Sequence, residues 1–250
     1  MLRSIDSLGG YTIRAKDGDI GQVDDFLFDD QSWAVRYLVV NTGNWLVGRK
    51  VIVLPAALET PDWETEMLTV NVSKGQIENS PPLAADQPVS RQKQAELHQY
   101  YGWPMYWTMG ASSFFTAPGK TQLAESAVDA AEEDAAVSDP HLRSAGEVTG
   151  YHIQATDGRI GQVEDFIVED ETWLIQYLVV DTHTWLPGRK VLVAPTWIEQ
   201  INWELREVRV DLKRETIKHS PEFDPSAPVN REYEMRLYDY YGRPHYWARL

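Results

Sequence analysis

Hydrophobic and polar positions along the chain fall into short alternating runs separated by turn residues. In "LTVNV" (68–72), Leu68, Val70 and Val72 fall on one side and Thr69 and Asn71 on the other. This pattern predicts a half-exposed strand. "VRVDL" (208–212) has the same form. "YTIRA" (11–15) and "IGQVDDFLF" (20–28) flank Asp17-Gly18, a dipeptide that predicts a hairpin turn. Within the second run the apolar phase slips: Ile20, Phe26 and Phe28 are even, Val23 is odd, and Gly21 lies between them. Such a slip beside a glycine predicts a β-bulge, which curls a sheet.

"WAVRYLVVNT" (33–42) carries Trp33, Val35, Tyr37 and Val39 on one face and Leu38 and Val40 on the other. A strand that is apolar on both faces is expected to be covered on both. "RKVIVLP" (49–55) reads the same way and ends at Pro55. Beyond the strands the period changes. Ser90 and Asn230 are suited to cap helices. Val229, Tyr233, Leu237 and Tyr241 form a stripe at helical spacing. Gly102 and Gly242 stand where a helix would end, with Pro104 and Pro244 beyond and a Tyr-Trp pair closing each segment.

The pattern occurs twice. Shifted by 140 positions, Leu2–Trp107 superimposes without a gap on Leu142–Trp247, with nearly half of the positions identical. "DGDIGQVDDF" (17–26) returns as "DGRIGQVEDF" (157–166), and "YLVV", "GRKV" and "YYG" return likewise. The expected organisation is a first copy at 1–107 (strands to about 80, helical tail 81–107), a linker at 108–141, and a second copy at 142–250 (strands to about 220, tail 221–250). The linker is rich in Ala, Ser and acidic residues, with a helical turn or more expected around Gln122–Ala136. The fold class is mainly β: two small curled sheets or barrels in tandem, each followed by a short C-terminal helix and an aromatic tail.

Composition narrows the function. The formal charge of −15 disfavours phosphate backbones and anionic lipid heads, so neither nucleic-acid binding nor direct membrane insertion is expected. No apolar run approaches the roughly 18 residues of a membrane span. The N-terminus lacks the apolar stretch of a secretory signal, and a cytoplasmic location is expected. Cysteine is absent, which excludes disulfides and thiolate chemistry.

The residues "LRS…GY.I.A.DG.IGQV.DF…W.…YLVV.T..WL.GRKV.V.P", present in both copies, resemble the PRC-barrel family. Its members include the cytoplasmic domain of the photosynthetic reaction-centre H subunit and the C-terminal domain of a ribosome maturation factor. The "YYG.P.YW" ends resemble the tails of stand-alone tandem members. The resemblance implies a non-catalytic β-barrel that assembles with other proteins, here as a structural adaptor docking on a larger complex of membrane or photosynthetic type.

Candidate chemistry is sparse. The aspartates of the repeated phrase (Asp17, Asp19, Asp24, Asp25, Asp29, Asp30) spread along a hairpin on alternating faces, unlike the converging oxygens of a Ca²⁺ loop. They read as turn and surface residues. The six histidines lack metal-ligand spacing, and no phosphate loop or nucleophile elbow occurs. Neither a catalytic residue, a metal nor a cofactor is assigned. Trp33, Trp63 and Trp107 recur in the second copy and fit a core. Trp45 and Trp185 differ, lying in loops beside Arg49-Lys50 and Arg189-Lys190. A half-exposed Trp next to an Arg suits an interface anchor, so these six residues are the candidate protein-partner surface. The copies are expected to pair as an intrachain pseudo-dimer, and a homo-oligomer is compatible with that. The alternative is a small-ligand or metal site between the copies.

Overall fold

The computed structural model describes residues 1–46, 49–84, 89–107, 139–182 and 189–249. In chain order the strands are β1 (Leu2–Ser4), β2 (Thr12–Ala15), β3 (Gly18–Asp29), β4 (Ala34–Asn41), β5 (Arg49–Val53), β6 (Met67–Thr69) and β7 (Leu83–Ala84). They continue as β8 (Leu142–Ser144), β9 (His152–Ala155), β10 (Gly158–Glu169), β11 (Ile175–Asp181), β12 (Lys190–Val193), β13 (Ile198–Asn202) and β14 (Glu207–Val210). The helices are α1 (Lys74–Glu78), α2 (Arg91–Tyr101), α3 (Ala145–Val148), α4 (Arg214–Lys218) and α5 (Arg231–Tyr241). The protein is mainly β, as the alternation predicts.

Two compact units form, and neither is continuous in sequence. One comprises Gly10–Ser32 and Arg36–Leu142; the other comprises Met1–Gly9, Trp33–Val35 and Arg143–Leu250. The first contains the strand order β6-β2-β3-β4-β5-β7, and the second β12-β11-β10-β9-β14-β13 with β1 also on β10. Corresponding strands pair alike: β2 runs parallel to β6, and β9 runs parallel to β14.

The bulges lie where the apolar phase slips. Ile13 faces Gly21 and Arg14 faces Asp19, which leaves Ile20 as the extra residue. Ile153 and Gly161, then Gln154 and Arg159, leave out Ile160 in the same way. Both isoleucines are buried. The bend brings the glycine against a neighbouring strand. A Cβ at position 21 would lie 2.1 Å from the Asn41 carbonyl oxygen, and one at 161 would lie 2.0 Å from that of Asp181. Only glycine fits there. In β10 a second slip follows, with Val163 opposite Val180 and Asp165 opposite Val179. It returns Phe166 to the buried face after Val163.

The repeated Asp-Gly turn is tied down by its own carboxylate. Asp17 Oδ1 accepts from the Lys74 backbone N–H at 2.7 Å, and Asp157 Oδ1 accepts from that of Arg214 at 2.8 Å. Each hairpin tip is thereby fastened to the start of a five-residue helix that the hydrophobic pattern alone does not predict.

Strand β4 is covered on both faces. Tyr37 and Val39 pack with Ile52, Leu54, Leu83, Leu97 and Tyr106, so the cover on this side is α2 and its aromatic tail. Leu38 and Val40 are fully buried on the opposite face. The tail therefore packs on the sheet of its own unit. The expected caps form: the Ser90 side chain accepts from Lys93 N–H, the Asn230 side chain accepts from Tyr233 N–H, and Gly102 and Gly242 take left-handed conformations at the helix ends.

The expected division at 107 and 142 follows the duplication, whereas the compact units follow the backbone hydrogen bonds. Leu2, Arg3 and Ser4 pair with Glu169, Val168 and Ile167 in antiparallel register, and the Ile5 N–H donates to the Phe166 carbonyl at 2.8 Å. The first strand of the chain thus completes the sheet built from the second copy. A short second insertion, Trp33–Val35, joins the same unit: Val35 N–H donates to Trp173 O and Ile175 N–H to Trp33 O, both at 2.8 Å.

Candidate functional site

The inner faces of α2 and α5 carry polar groups beside their apolar ones. In α2 the buried residues are Gln94, Leu97 and His98; in α5 they are Glu234, Leu237 and Tyr238. Gln94 and His98 are fully buried, and Glu234 is 2 % exposed. Buried polar groups of this kind persist only when paired.

In the first unit Gln94 is the hub. Its Oε1 lies 2.6 Å from the Tyr106 hydroxyl and 3.1 Å from that of Tyr37, and its Nε2 donates to Asp139 Oδ2 at 3.0 Å. Arg91 meets the same carboxylate oxygen at 2.8 Å. His98 Nδ1 lies 2.8 Å from the Pro104 carbonyl, and Nε2 lies 2.7 Å from the Tyr37 hydroxyl. A carbonyl only accepts, so Nδ1 carries a proton. Burial lowers the His98 pKa. The ring is therefore neutral, and Nε2 takes the Tyr37 proton at the shorter of that hydroxyl's two contacts. Burial also raises the pKa of Tyr37 and Tyr106 far above the ordinary phenol value, so both stay protonated donors. The Arg36 guanidinium lies 4.2 Å above the Tyr106 ring, its own pKa lowered by burial.

The second unit builds the same circuit with different residues. Tyr177 and Tyr246 hydroxyls donate to Glu234 Oε1 at 2.8 and 2.9 Å, and Arg231 Nη1 stands 3.1 Å from Oε2. Burial is again the leading cause of the raised pKa of both tyrosines. Tyr238 replaces His98 and packs edge-on against Trp197 and Trp247, with ring centroids 5.4 and 5.5 Å away. Each unit thus gathers two tyrosine hydroxyls, one arginine and one carboxylate between β4 or β11 and its helical tail. Chemically the arrangement is a lock: its donors and acceptors bind one another and fasten the tail to the sheet.

The candidate partner residues fall into two groups. The Arg49 guanidinium turns inward. It donates to the carbonyls of Glu78 at 2.7 Å and Ile77 at 3.2 Å, to Ser80 Oγ at 2.7 Å, and closely to the Ser80 carbonyl. It closes the C-terminal end of α1, where helix carbonyls lack partners. Arg189 donates closely to the Ser220 carbonyl just beyond α4. Lys50 and Lys190 reach local carboxylates, Asp24 at 3.6 Å and Glu164 at 2.6 Å. Trp45 is half-buried, with Lys74 Nζ 4.5 Å from its ring centre. Trp185 lies outside the described residues, as does the expected helical turn around Gln122–Ala136. Of the candidate residues, Trp45, Lys50 and Lys190 are left half-exposed while the guanidinium of Arg49 turns inward.

The repeated aspartates serve turns and ion pairs. Asp19 pairs with Arg14, Asp29 Oδ1 accepts from Ser32 N–H at 2.7 Å, and Asp30 pairs with His141. Among the described residues no three His, Asp or Glu side chains stand together as a metal site. Of the recurrent tryptophans expected in the core, Trp173 is buried, while Trp33, Trp63, Trp203, Trp107 and Trp247 are half-buried. Trp197, which has Ala57 as its counterpart, is buried as well. The lock residues Gln94, His98, Glu234 and Asp139 escape a pattern reading. The one signal for them is a polar residue at the same helical position in both copies, 94 and 234, one turn before a leucine.

Comparison with known families places a PRC-barrel domain at residues 2–77. No curated protein matches the chain. The matched segment includes both bulged hairpins' first example, β2–β3, and the capping aspartate at 17. It also includes β1, which the fold delivers to the other unit. A PRC-barrel domain suggests a non-catalytic, adaptor-type role. No helix among the described residues is long and apolar enough to cross a membrane.

Proposed function

We propose that the chain is a tandem PRC-barrel adaptor, the second copy being a further domain of the same kind. It would be cytoplasmic and would hold a protein partner, in the manner of the soluble domain of a reaction-centre H subunit. The observation that carries this reading is the PRC-barrel match at 2–77, together with its gapless repetition 140 residues later. The use of buried ionisable groups supports it. His98, Asp139 and Glu234 are each engaged in hydrogen bonds that fasten segments of the chain. The docking surface is proposed around Trp45 and Lys50 and their counterparts Trp185 and Lys190. Arg49 and Arg189 shape it from beneath by closing the short helices. A half-exposed indole beside a cation suits an interface anchor.

The test is affinity capture with the intact protein and with a Trp45→Ala, Trp185→Ala variant of equal thermal stability, followed by titration of the purified partner. The expected result is a stoichiometric protein partner whose affinity falls at least about tenfold in the variant, the effect of losing an interface anchor. Equal affinity would move the surface elsewhere. A 1:1 calorimetric signal for a metabolite or divalent ion, with no protein captured, would replace the adaptor reading.

A further inference from the structure

The segment Met1–Gly9 is held as a peptide ligand is held. Three backbone pairs join β1 to Ile167–Glu169. Its side chains are then read individually. The Ser4 hydroxyl donates to Asp165 Oδ2 at 2.5 Å, and the Asp6 backbone N–H donates to Oδ1 of the same carboxylate at 3.0 Å. Arg3 Nε donates to Asp170 Oδ2 at 2.7 Å, and the Asp170 N–H donates to the Met1 carbonyl at 2.9 Å. Ile5 and Leu8 are buried, at 6 % and 1 % exposed. This is recognition by strand addition: main-chain bonds supply adhesion, and flanking side-chain sites select the sequence. The acceptor recurs in the other unit, where the Asp30 N–H donates to the carbonyl of His141, the residue before the second "LRS".

We infer that Asp165–Asp170, at the end of β10, is a transferable strand-acceptor site, specific for the Leu-Arg-Ser-Ile segment, and that it takes residues 1–9 from a second copy of this chain whenever its own are withdrawn. The inference concerns a site distinct from the Trp45 surface and goes beyond the adaptor reading. The connection that must turn is Gly9-Gly10, where Gly10 has φ +82° and open space around it. In the exchanged state the two copies make the contacts that one copy makes alone. The competition is therefore set by effective concentration. A tethered segment is presented at roughly millimolar level. At micromolar protein the intrachain form prevails, and the exchanged pair grows with concentration.

Because the chain contains no cysteine, a disulfide trap reads the exchange directly. Ser4 and Ile167 are Cα partners. A Ser4→Cys, Ile167→Cys chain should close an intrachain disulfide, which verifies the register. A Ser4→Cys chain mixed with an Ile167→Cys chain should give a disulfide-linked heterodimer, with a half-time about tenfold shorter when both are concentrated tenfold at a fixed ratio, by mass action. Ser4→Cys mixed with Leu205→Cys, an exposed site on the same unit, sets the collisional background. Heterodimer at or below that background, with the intrachain bond formed, overturns transfer between copies. Failure of the intrachain bond overturns the site itself. A free peptide copying residues 1–9 that suppresses the heterodimer, while one with Arg3→Ala and Ser4→Ala does not, supports sequence selection; equal suppression by both overturns it.

Discussion

Glu234 and Gln94 occupy equivalent positions and differ in whether the helix itself brings the negative charge. Glu234→Gln keeps an oxygen toward Tyr177 and Tyr246 but turns an amide NH₂ toward Arg231, now 3.1 Å from Oε2, so a donor faces a donor. In the first unit the corresponding NH₂ meets Asp139 at 3.0 Å. Hydrogen bonds to a charged acceptor contribute about 1.5–3 kcal/mol, against about 0.5–1.5 for neutral ones. Two tyrosine bonds to a nearly buried carboxylate are weakened by the change. The Arg231 pairing is half-exposed at the arginine and adds less than about 1 kcal/mol after screening. The expected loss is about 2 kcal/mol in urea unfolding at pH 7. The converse change, Gln94→Glu, sets a second carboxylate beside the buried Asp139 and should cost about as much. Adding Asp139→Asn leaves one charge among two tyrosines and Arg91, which is the arrangement of the second unit. The double variant should therefore recover most of the loss, with a coupling energy near 2 kcal/mol. Contacting residues in one network show coupling of this size, whereas independent sites add to within about 0.5 kcal/mol. Simple additivity of the two substitutions would refute the lock as a charge-balanced circuit.

Three other outcomes follow from single contacts. Gly21→Ala or Gly161→Ala places a methyl about 2 Å from a backbone carbonyl oxygen and should cost about 3 kcal/mol or prevent folding; a melting temperature within a few degrees of the parent would refute the close approach. The lowered His98 pKa means that the unfolded chain binds the proton more readily. Its stability contribution is thus complete above the unfolded value near 6.5 and is lost as pH falls from there through the folded pKa. The parent should lose more stability between pH 7 and 5 than His98→Tyr, which copies Tyr238, and parallel pH profiles would refute the neutral buried ring. Arg49→Ala removes donors to the Ile77, Glu78 and Ser80 carbonyls and should cost about 1–3 kcal/mol in chemical unfolding; no change would mean that these bonds do not close α1.

The strands, the bulges beside Gly21 and Gly161, and the helix caps are legible because each is set by local pattern. An apolar phase slip, an Asp-Gly pair or a Ser before a helix carries its meaning within a few residues. The lock is not legible in that way. Tyr233 and Tyr241, expected on the buried stripe with Leu237, are half-buried, while Glu234 and Tyr238 take the interior. A periodicity reading assigns Glu to solvent, and what permits its burial is Tyr177, 57 residues earlier. The destination of β1 is hidden for a different reason. The duplication supplies two acceptors, with Asp25 and Asp30 in one copy and Asp165 and Asp170 in the other. "LRS" satisfies either, so only the fold distinguishes them. The Trp45 surface is half legible: the basic pair beside the tryptophan is plain in the sequence, but the inward turn of Arg49 depends on a five-residue helix whose carbonyls it closes.

The two locks also differ in what holds them. In the second unit the carboxylate and the arginine that meets it both belong to α5 itself, so its tail needs only β11 and Tyr246 to close. In the first, the carboxylate arrives with Asp139, whose own N–H donates to the Val89 carbonyl at 3.4 Å, and His141 follows it to Asp30. Seating of residues 139–142 and docking of α2 are thus one event in the first unit, while α5 docks without such a contribution. Asp139→Ala should raise amide hydrogen exchange along α2, leave α5 unchanged, and loosen the Asp30–His141 contact in the same step, since a buried hydrogen-bonded carboxylate is removed from a shared network. Equal acceleration in both helices would show that the tails open together and that the carboxylate's origin is immaterial.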